Sequence, residues 1–287
     1  MTNRLWLWIT VALLAAGMAL TALTPMDRAS TFAAVSEAWA DVFQDAGQGL
    51  GRVTRGDTRQ EIELGQRIAT QVEAGAHMPA DLSTYVSAVG QKLVRHARRQ
   101  DLRWRFRVID SPAINAFALP GGSVYVYRGL FDKLHDESQL AALLGHEIAH
   151  ADLYHCIDRF RLNGIAAFSY AQNQEMDADE YGLALALKAG YDPSGATSLM
   201  TLLDELHPAP APRTPRSPLG EVTGATGQAL SDFFRSHPRT PERRSRLRAA
   251  VEREIRWSRD AGMMCIGEEN LRQRKPCPDL AGAGPNH

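Results

Sequence analysis

The chain carries almost no net charge. Its 32 Lys and Arg face 33 Asp and Glu, which leaves −1 over 287 residues. No global field draws such a protein to nucleic acid. Arginine greatly outnumbers lysine within that balance. Internal repeats are absent. Cysteine is scarce: Cys156, Cys265 and Cys277 are all there is. None of them stands near the end of the N-terminal apolar run, so a lipoprotein attachment site is missing. Cys265 and Cys277 bracket a short polar loop and can pair in an oxidising compartment. Cys156 reads as a buried free thiol.

What is present is ordinary globular material. Apolar residues make up 44% and charged residues 23%, enough for a sizeable core and one catalytic domain. The exception is Leu5 to Leu23, a run without charge that follows Arg4. Its nineteen residues reach roughly 28 Å as a helix, close to a bilayer core. A cleaved signal peptide normally has a shorter apolar core, about 7–15 residues. The small-residue pattern Ala38-Trp39-Ala40 sits far downstream, so an uncleaved anchor is favoured over a cleaved signal. Arg4 lies before the run, while Asp27, Glu37, Asp41 and Asp45 outnumber Arg28 after it. The positive-inside rule then places the remainder on the extracytoplasmic, periplasmic side of a bacterial cytoplasmic membrane.

The chain divides into a signal anchor or signal peptide over 1–24, a tether over 25–57, a folded domain over 58–260 and an irregular tail over 261–287. Helical spacing appears at Ile62, Leu64, Ile68 and Val72, and again from Leu82 to Val94. Trp104 to Ile109 alternates as a strand does, and Val124 to Tyr127 follows Gly121-Gly122 as a second strand. Asp136 is placed to cap a helix carrying Leu140, Leu143, Leu144, Ile148 and Leu153 on its buried side. Further helices are expected near 174–189, 194–206, 228–235 and 241–258, with a five-proline loop over 208–220. The pattern is α+β: several helices with a small sheet.

His146-Glu147-Ile148-Ala149-His150 carries the chemistry. Positions i and i+4 share a helical face, so both imidazoles can reach one ion. Neutral imidazole suits Zn²⁺. Glu147 sits one residue along, where it can take a proton from a water beside the metal. By composition the five-residue pattern arises by chance on the order of once per hundred chains of this length. Here it lies on an apolar helix, where two histidines and a glutamate are costly without a partner. Glu175 and Asp179 are again i and i+4. That spacing permits Glu175 as third ligand and Asp179 as the acceptor for a ligating histidine's other N–H. A solvated acidic helix start fits the same residues.

These residues together resemble the M48 metallopeptidases, a family that includes membrane CAAX-processing and stress-response proteases. Four stretches match in order: Asn115 to Gly122 with Val124 to Leu130, then His146 to His150, then Glu175 to Gly182, then Ser236-His237-Pro238 with Arg243. The similarity covers roughly residues 58–258. It implies a mostly helical, zincin-like domain with one zinc per chain on His146, His150 and Glu175. The sequence departs from the family in two ways. Only 24 residues separate His150 from Glu175, which removes room for a helical hairpin or cleft loop. The C-terminal helical repeats that give some members a partner-binding module are also missing.

Asn115 to Leu119 are expected to line the cleft. Val124 to Tyr127 is either the sheet edge that takes an extended peptide or a plain core strand. His237 and Arg243 fit a place near the open metal position. Either could stabilise an oxyanion, or His237 could fill that position and hold the enzyme inactive. The proline-rich approach favours the positioning role. His155 reads as structural or supporting. The expected activity is zinc-dependent endopeptidase cleavage of envelope proteins, with Glu147 as general base. A zinc-stabilised binding or chaperone-like module is the alternative. Partners are protein or peptide substrates and, through the N-terminal run, the membrane. No feature specifies an oligomeric state.

Overall fold

The computed structural model describes residues 57–158, 170–206, 237, 238, 240–258 and 264–279. The N-terminal apolar run, the tether, the five-proline loop and the helix expected near 228–235 lie outside them. Among the described residues no helix is long and apolar enough to cross a membrane.

Helix α1, Thr58–Ala74, starts where Asp57 accepts a hydrogen bond from the Gln60 amide at 3.1 Å. It buries Leu64, Ile68 and Val72 along one stripe. Helix α2, Ala80–Val94, follows Pro79 and buries Leu82, Val86, Val89 and Leu93. Three short strands come next: β1 Arg105–Ile109, β2 Ala116–Ala118 and β3 Ser123–Tyr127. β3 pairs parallel with β1 and antiparallel with β2, and the order is β1-β3-β2. The turn between β2 and β3 needs Gly121 and Gly122, with φ of 81° and 97°, where a Cβ would be strained.

β3 is therefore the central strand, with all five residues buried, and not an edge. Its unbroken Val-Tyr-Val-Tyr run reflects burial on both faces. The edge on the far side of β3 is β2. Asn115 O, Leu119 N and the Phe117–Tyr125 pair face β3. The alternate backbone groups of Ala116 and Ala118 then point away from the sheet.

A short helix α3, Arg128–Phe131, leads to α4, Glu137–Asp152. The side chain of its N-cap Asp136 accepts from the Gln139 amide. The sequence marks one apolar stripe on α4, yet every residue from Glu137 to Asp152 is buried. Leu153, expected on that stripe, is only half-buried past the helix end. The reason is crowding: α2, the sheet, α5 (Gln172–Lys188) and α6 (Ser194–Leu206) all pack on α4. Helix α7, Pro241–Ser258, closes over α5 and α6. It adds a small apolar cluster of Leu183, Leu247, Ala250 and Val251. Among the described residues the architecture is mostly helical α+β with one three-stranded sheet.

The stretch expected to be an irregular tail is ordered where it is described. It holds helix α8, Glu268–Gln273. Cys265 and Cys277 form a disulfide, and Cys156 is buried outside that bridge. The bridged loop caps the start of α4. The amides of Glu137 and Ser138 donate to Gly267 O and Ile266 O at 3.1 and 2.9 Å, satisfying first-turn donors that a helix cannot satisfy itself. Glu137 in turn accepts from Tyr85, Tyr191 and the Cys277 amide at 2.7–2.8 Å. The packed body thus runs past residue 260. Polar loop residues give no periodic signal, so the sequence hid this element.

Removing the bridge by replacing both Cys265 and Cys277 with serine should cost about 3 kcal/mol in the chain-entropy account. In a domain of this size that lowers the melting temperature by about 6–12 °C. An unchanged melting curve would show that the loop holds α4 without the bridge. Thiol titration of the denatured, unreduced parent should give one equivalent.

Candidate metal centre

Two helices deliver the donors, and two glycines let them meet. A Cβ on Gly145 of α4 would lie 2.7 Å from Gly182 O, and one on Gly182 of α5 would lie 2.7 Å from His146 N. The backbones touch there, so no larger residue fits at either point. This crossing stands next to His146. Asp179 and Glu175 lie one and two turns before Gly182, and α5 therefore presents both carboxylates to the histidine face of α4.

A third helix completes the set. Thr240 Oγ1 accepts from the Arg243 amide at 3.2 Å, and Pro241 takes the first position of α7. That start orients Arg243 inward. Pro238 O accepts from Arg243 Nη1 at 3.3 Å, which ties the His237 segment to the same guanidinium.

Four donor atoms converge. Nε2 of His146 and Nε2 of His150 are 3.1 Å apart. Glu175 lies 3.6 Å from the first and 3.4 Å from the second. His237 Nδ1 is 3.2 Å from His146 Nε2 and 2.9 Å from Glu175 Oε1. All four residues are buried, and their donor atoms lie within 4.8 Å of one another. Tetrahedral zinc, with bonds of about 2.0–2.1 Å, separates its donors by about 3.3–3.4 Å. The spacings above, 2.9–3.6 Å, fall on either side of that figure.

Charge supports the same conclusion. Glu147, Glu175 and Asp179 are buried around one guanidinium, that of Arg243. Formally two negative charges are left over, and interior carboxylates are costly unless compensated. Neither oxygen of Glu147, which is 0% exposed, has a hydrogen-bond partner. A divalent cation held by neutral imidazoles would balance the excess. Burial pushes His150 well below the usual histidine range, which leaves it neutral, as a metal ligand must be. Burial pushes Glu175 up, but His237, His150 and His146 outweigh it and hold the carboxyl well below its usual range. Burial lowers His146 as well, yet Asp179 and Glu175 raise it on balance. The negative field that favours positive charge on His146 favours a metal cation beside it.

The supporting contacts fix the donors. His146 Nδ1 faces Asp179 Oδ1 at 3.0 Å. Arg243 grips Asp179 through Nε at 2.5 Å and Nη2 at 2.8 Å, and pairs with Glu175 through Nη1. Its guanidinium is thus occupied with carboxylates. His155 Nδ1 lies 3.2 Å from His150 Nδ1. One of those nitrogens must carry the proton between them, and a proton on His150 Nδ1 leaves its Nε2 free to bind metal.

The structure therefore brings His146, Glu147, His150, Glu175, Asp179, His237 and Arg243 to one place. Asn115 lies in the same region of the chain as β2, buried, with Oδ1 unpartnered. Sequence reasoning missed Tyr170. Its ring stacks on His150 at 3.7 Å between centroids and 14° between planes, and its hydroxyl meets Cys156 Sγ at 3.4 Å. A lone tyrosine ahead of a helix offers no local pattern to announce this.

A family model described as Peptidase family M48 matches residues 81–173 and 160–251. The Beta-barrel assembly-enhancing protease of Escherichia coli (strain K12) is 27% identical over 254 residues, spanning 70% of this chain and 52% of that protein. The Mitochondrial metalloendopeptidase OMA1 of Schizosaccharomyces pombe is 29% identical over 185 residues, spanning 55% and 50%. The human Metalloendopeptidase OMA1, mitochondrial, is 30% identical over 148 residues, spanning 38% and 28%. The chain spans about half the length of the first two relatives.

The glycine crossing yields a test. Gly182→Ala forces α4 and α5 apart and should cost about 1–3 kcal/mol of stability. It should also weaken zinc binding in chelator competition, because His146 and Glu175 separate. Wild-type metal affinity in a folded Gly182→Ala protein would show that the donors are set by something other than the crossing.

Proposed function

This chain belongs to peptidase family M48, and on that premise we propose that it is a zinc-dependent endopeptidase. The observation that carries the reading is the Glu147 carboxylate. It is buried, neither oxygen is hydrogen-bonded, and it stands beside a four-donor cluster. A binding module needs the cluster but has no use for an unsatisfied carboxylate next to it.

Zinc held by His146, His150 and Glu175 would supply a Lewis acid that polarises the scissile carbonyl and acidifies water. Glu147 takes the proton from the attacking water and passes it to the leaving amine. Asp179 and Arg243 hold His146 and Glu175 in place. Because the Arg243 guanidinium is engaged with carboxylates, it acts as a clamp here and not as an oxyanion donor. The substrate runs along the outer edge of β2 at Ala116, whose backbone groups point away from the sheet, since Ala118 O already accepts from Cys156 Sγ at 3.5 Å.

With a metal held by His146, His150 and Glu175, His237 would be the resting occupant of the fourth donor position. Its Nδ1 lies among the donors, and its Nε2 is 3.5 Å from Glu147 Oε1. These distances favour the latch over the oxyanion role that the proline-rich approach favours. Water and substrate enter when His237 leaves.

The working compartment is extracytoplasmic, and the substrates are envelope proteins. The disulfide fits an oxidising compartment, and the charge pattern around the N-terminal run supports an outside location. One relative is named for enhancing β-barrel assembly.

Glu147→Gln should keep one zinc per chain and lose casein cleavage, whereas His146→Ala should lose metal as well. Elemental analysis alongside a casein assay with and without chelator separates the two. Parallel loss of zinc and activity in Glu147→Gln would remove the general-base role. His237→Ala should raise turnover of an unstructured substrate at matched zinc content. A fall of about 10²–10³ would instead mark His237 as an oxyanion donor.

A further inference from the structure

The two donor histidines of α4 are held in different ways. His146 Nδ1 meets Asp179 at 3.0 Å, and Asp179 is itself gripped by Arg243. His150 Nδ1 faces another ring, with His155 Nδ1 at 3.2 Å. A contact in the plane of an imidazole directs its nitrogens but only weakly opposes rotation about χ2, which in histidine is a broad, shallow torsion. A metal bond does not tolerate that rotation, because the Nε2 lone pair lies in the ring plane and turns with it. His150 therefore needs something against its face.

Among the described residues four rings surround it. His146, His155 and His237 meet it at 81°, 63° and 53° between planes, edge-on or tilted. Tyr170 lies flat against it, with 3.7 Å between centroids and 14° between planes. Carbon atoms in contact sit about 3.5–4.0 Å apart. The two rings already touch, so a turn of the imidazole drives one of its edges into the phenol. Electrostatics act in the same sense. The face of a phenol ring is negative and attracts positive charge, and an imidazole that has given its lone pair to a metal is electron-poor. The stack is thus stronger with metal bound than without.

Tyr170 is fixed in its turn. Its hydroxyl meets Cys156 Sγ at 3.4 Å, and Cys156 Sγ donates to Ala118 O of β2 at 3.5 Å. Its backbone stands two residues ahead of α5, and Glu175 follows five residues after it. One short stretch therefore delivers the stacking ring and a donor to the same place. We infer that Tyr170 is a positioning residue: its ring holds the His150 imidazole in the plane that metal binding requires, and its hydroxyl anchors the ring. The inference rests on the reading of His150 as a metal ligand, and not on the reaction carried out there.

The test compares the full chain with Tyr170→Leu, which has no flat face, and with Tyr170→Phe, which keeps the face and drops the hydroxyl. Zinc affinity is read by chelator competition. The geometry of the site is read from the visible absorption of the Co²⁺-substituted protein, which follows ligand type and arrangement. Tyr170→Leu should bind zinc about 10–100-fold more weakly and should shift the Co²⁺ spectrum, while Tyr170→Phe should restore both. Melting in chelator, and again with zinc added, separates packing from positioning. Lost packing lowers the first value, whereas lost positioning shrinks the gain between the two. Should Tyr170→Leu fail to fold, the more pliable Tyr170→Met is read in the same way. Parental affinity and an unshifted Co²⁺ spectrum in the leucine variant would make Tyr170 a packing residue and overturn the inference. So would a phenylalanine variant as weak as the leucine one, since the hydroxyl and not the stack would then be responsible. A parent that binds neither zinc nor Co²⁺ overturns the metal centre itself, and the positioning role with it.

Discussion

Everything in the centre depends on how closely two helices can cross. Gly145 and Gly182 bring the backbones of α4 and α5 into contact. Helices with side chains at the contact sit about 8–10 Å apart. Ligands on separate helices must meet within one coordination sphere, and an extra ångström at the crossing would pull Glu175 out of reach of the histidines. Because Gly145 immediately precedes His146, the closest approach falls beside the donor cluster and not a turn away. The two glycines thus act on the chemistry without touching it.

The charge at that crossing is not self-balancing. Three buried carboxylates face the Arg243 guanidinium, and three histidine rings add donors. Such a cluster is unfavourable unless something positive enters it. Arg243 resolves part of the conflict by binding Asp179 and Glu175 together. The remainder is the driving force for a divalent ion. Folding and metal binding should therefore be coupled at this site.

Helix α4 is held at both ends by charged groups inside the protein. At its start, Glu137 gathers Tyr85, Tyr191 and the Cys277 amide. At its end, Arg99 donates to Ala151 O at 3.0 Å while paired with Glu61, and Glu61 also accepts from the Gly121 amide at 3.2 Å. Asp152 accepts from the amides of Arg98 and Arg99 and from Tyr181. A helix buried on every face cannot leave its terminal groups to water. These side chains replace water, and they fix the helix that carries both histidines.

The sequence by itself located most of the helices, two of the strands and the candidate donors. Apolar spacing located α1 and α2, because each has one buried stripe. His146 to His150 and Glu175 to Asp179 announced a metal, since i and i+4 is a local relation that needs no fold. Tertiary structure decided the rest. Val124 to Tyr127 became the central strand, and β2 the edge, because pairing order is set by partners far along the chain. The loop after Cys265 became a helix cap, because its hydrogen bonds go to α4 and not to its neighbours. The stacking of Tyr170 on His150 arises only where separate segments of the chain meet. Local patterns report what one segment can do. Which segment it meets depends on packing, and packing is not written in any one of them.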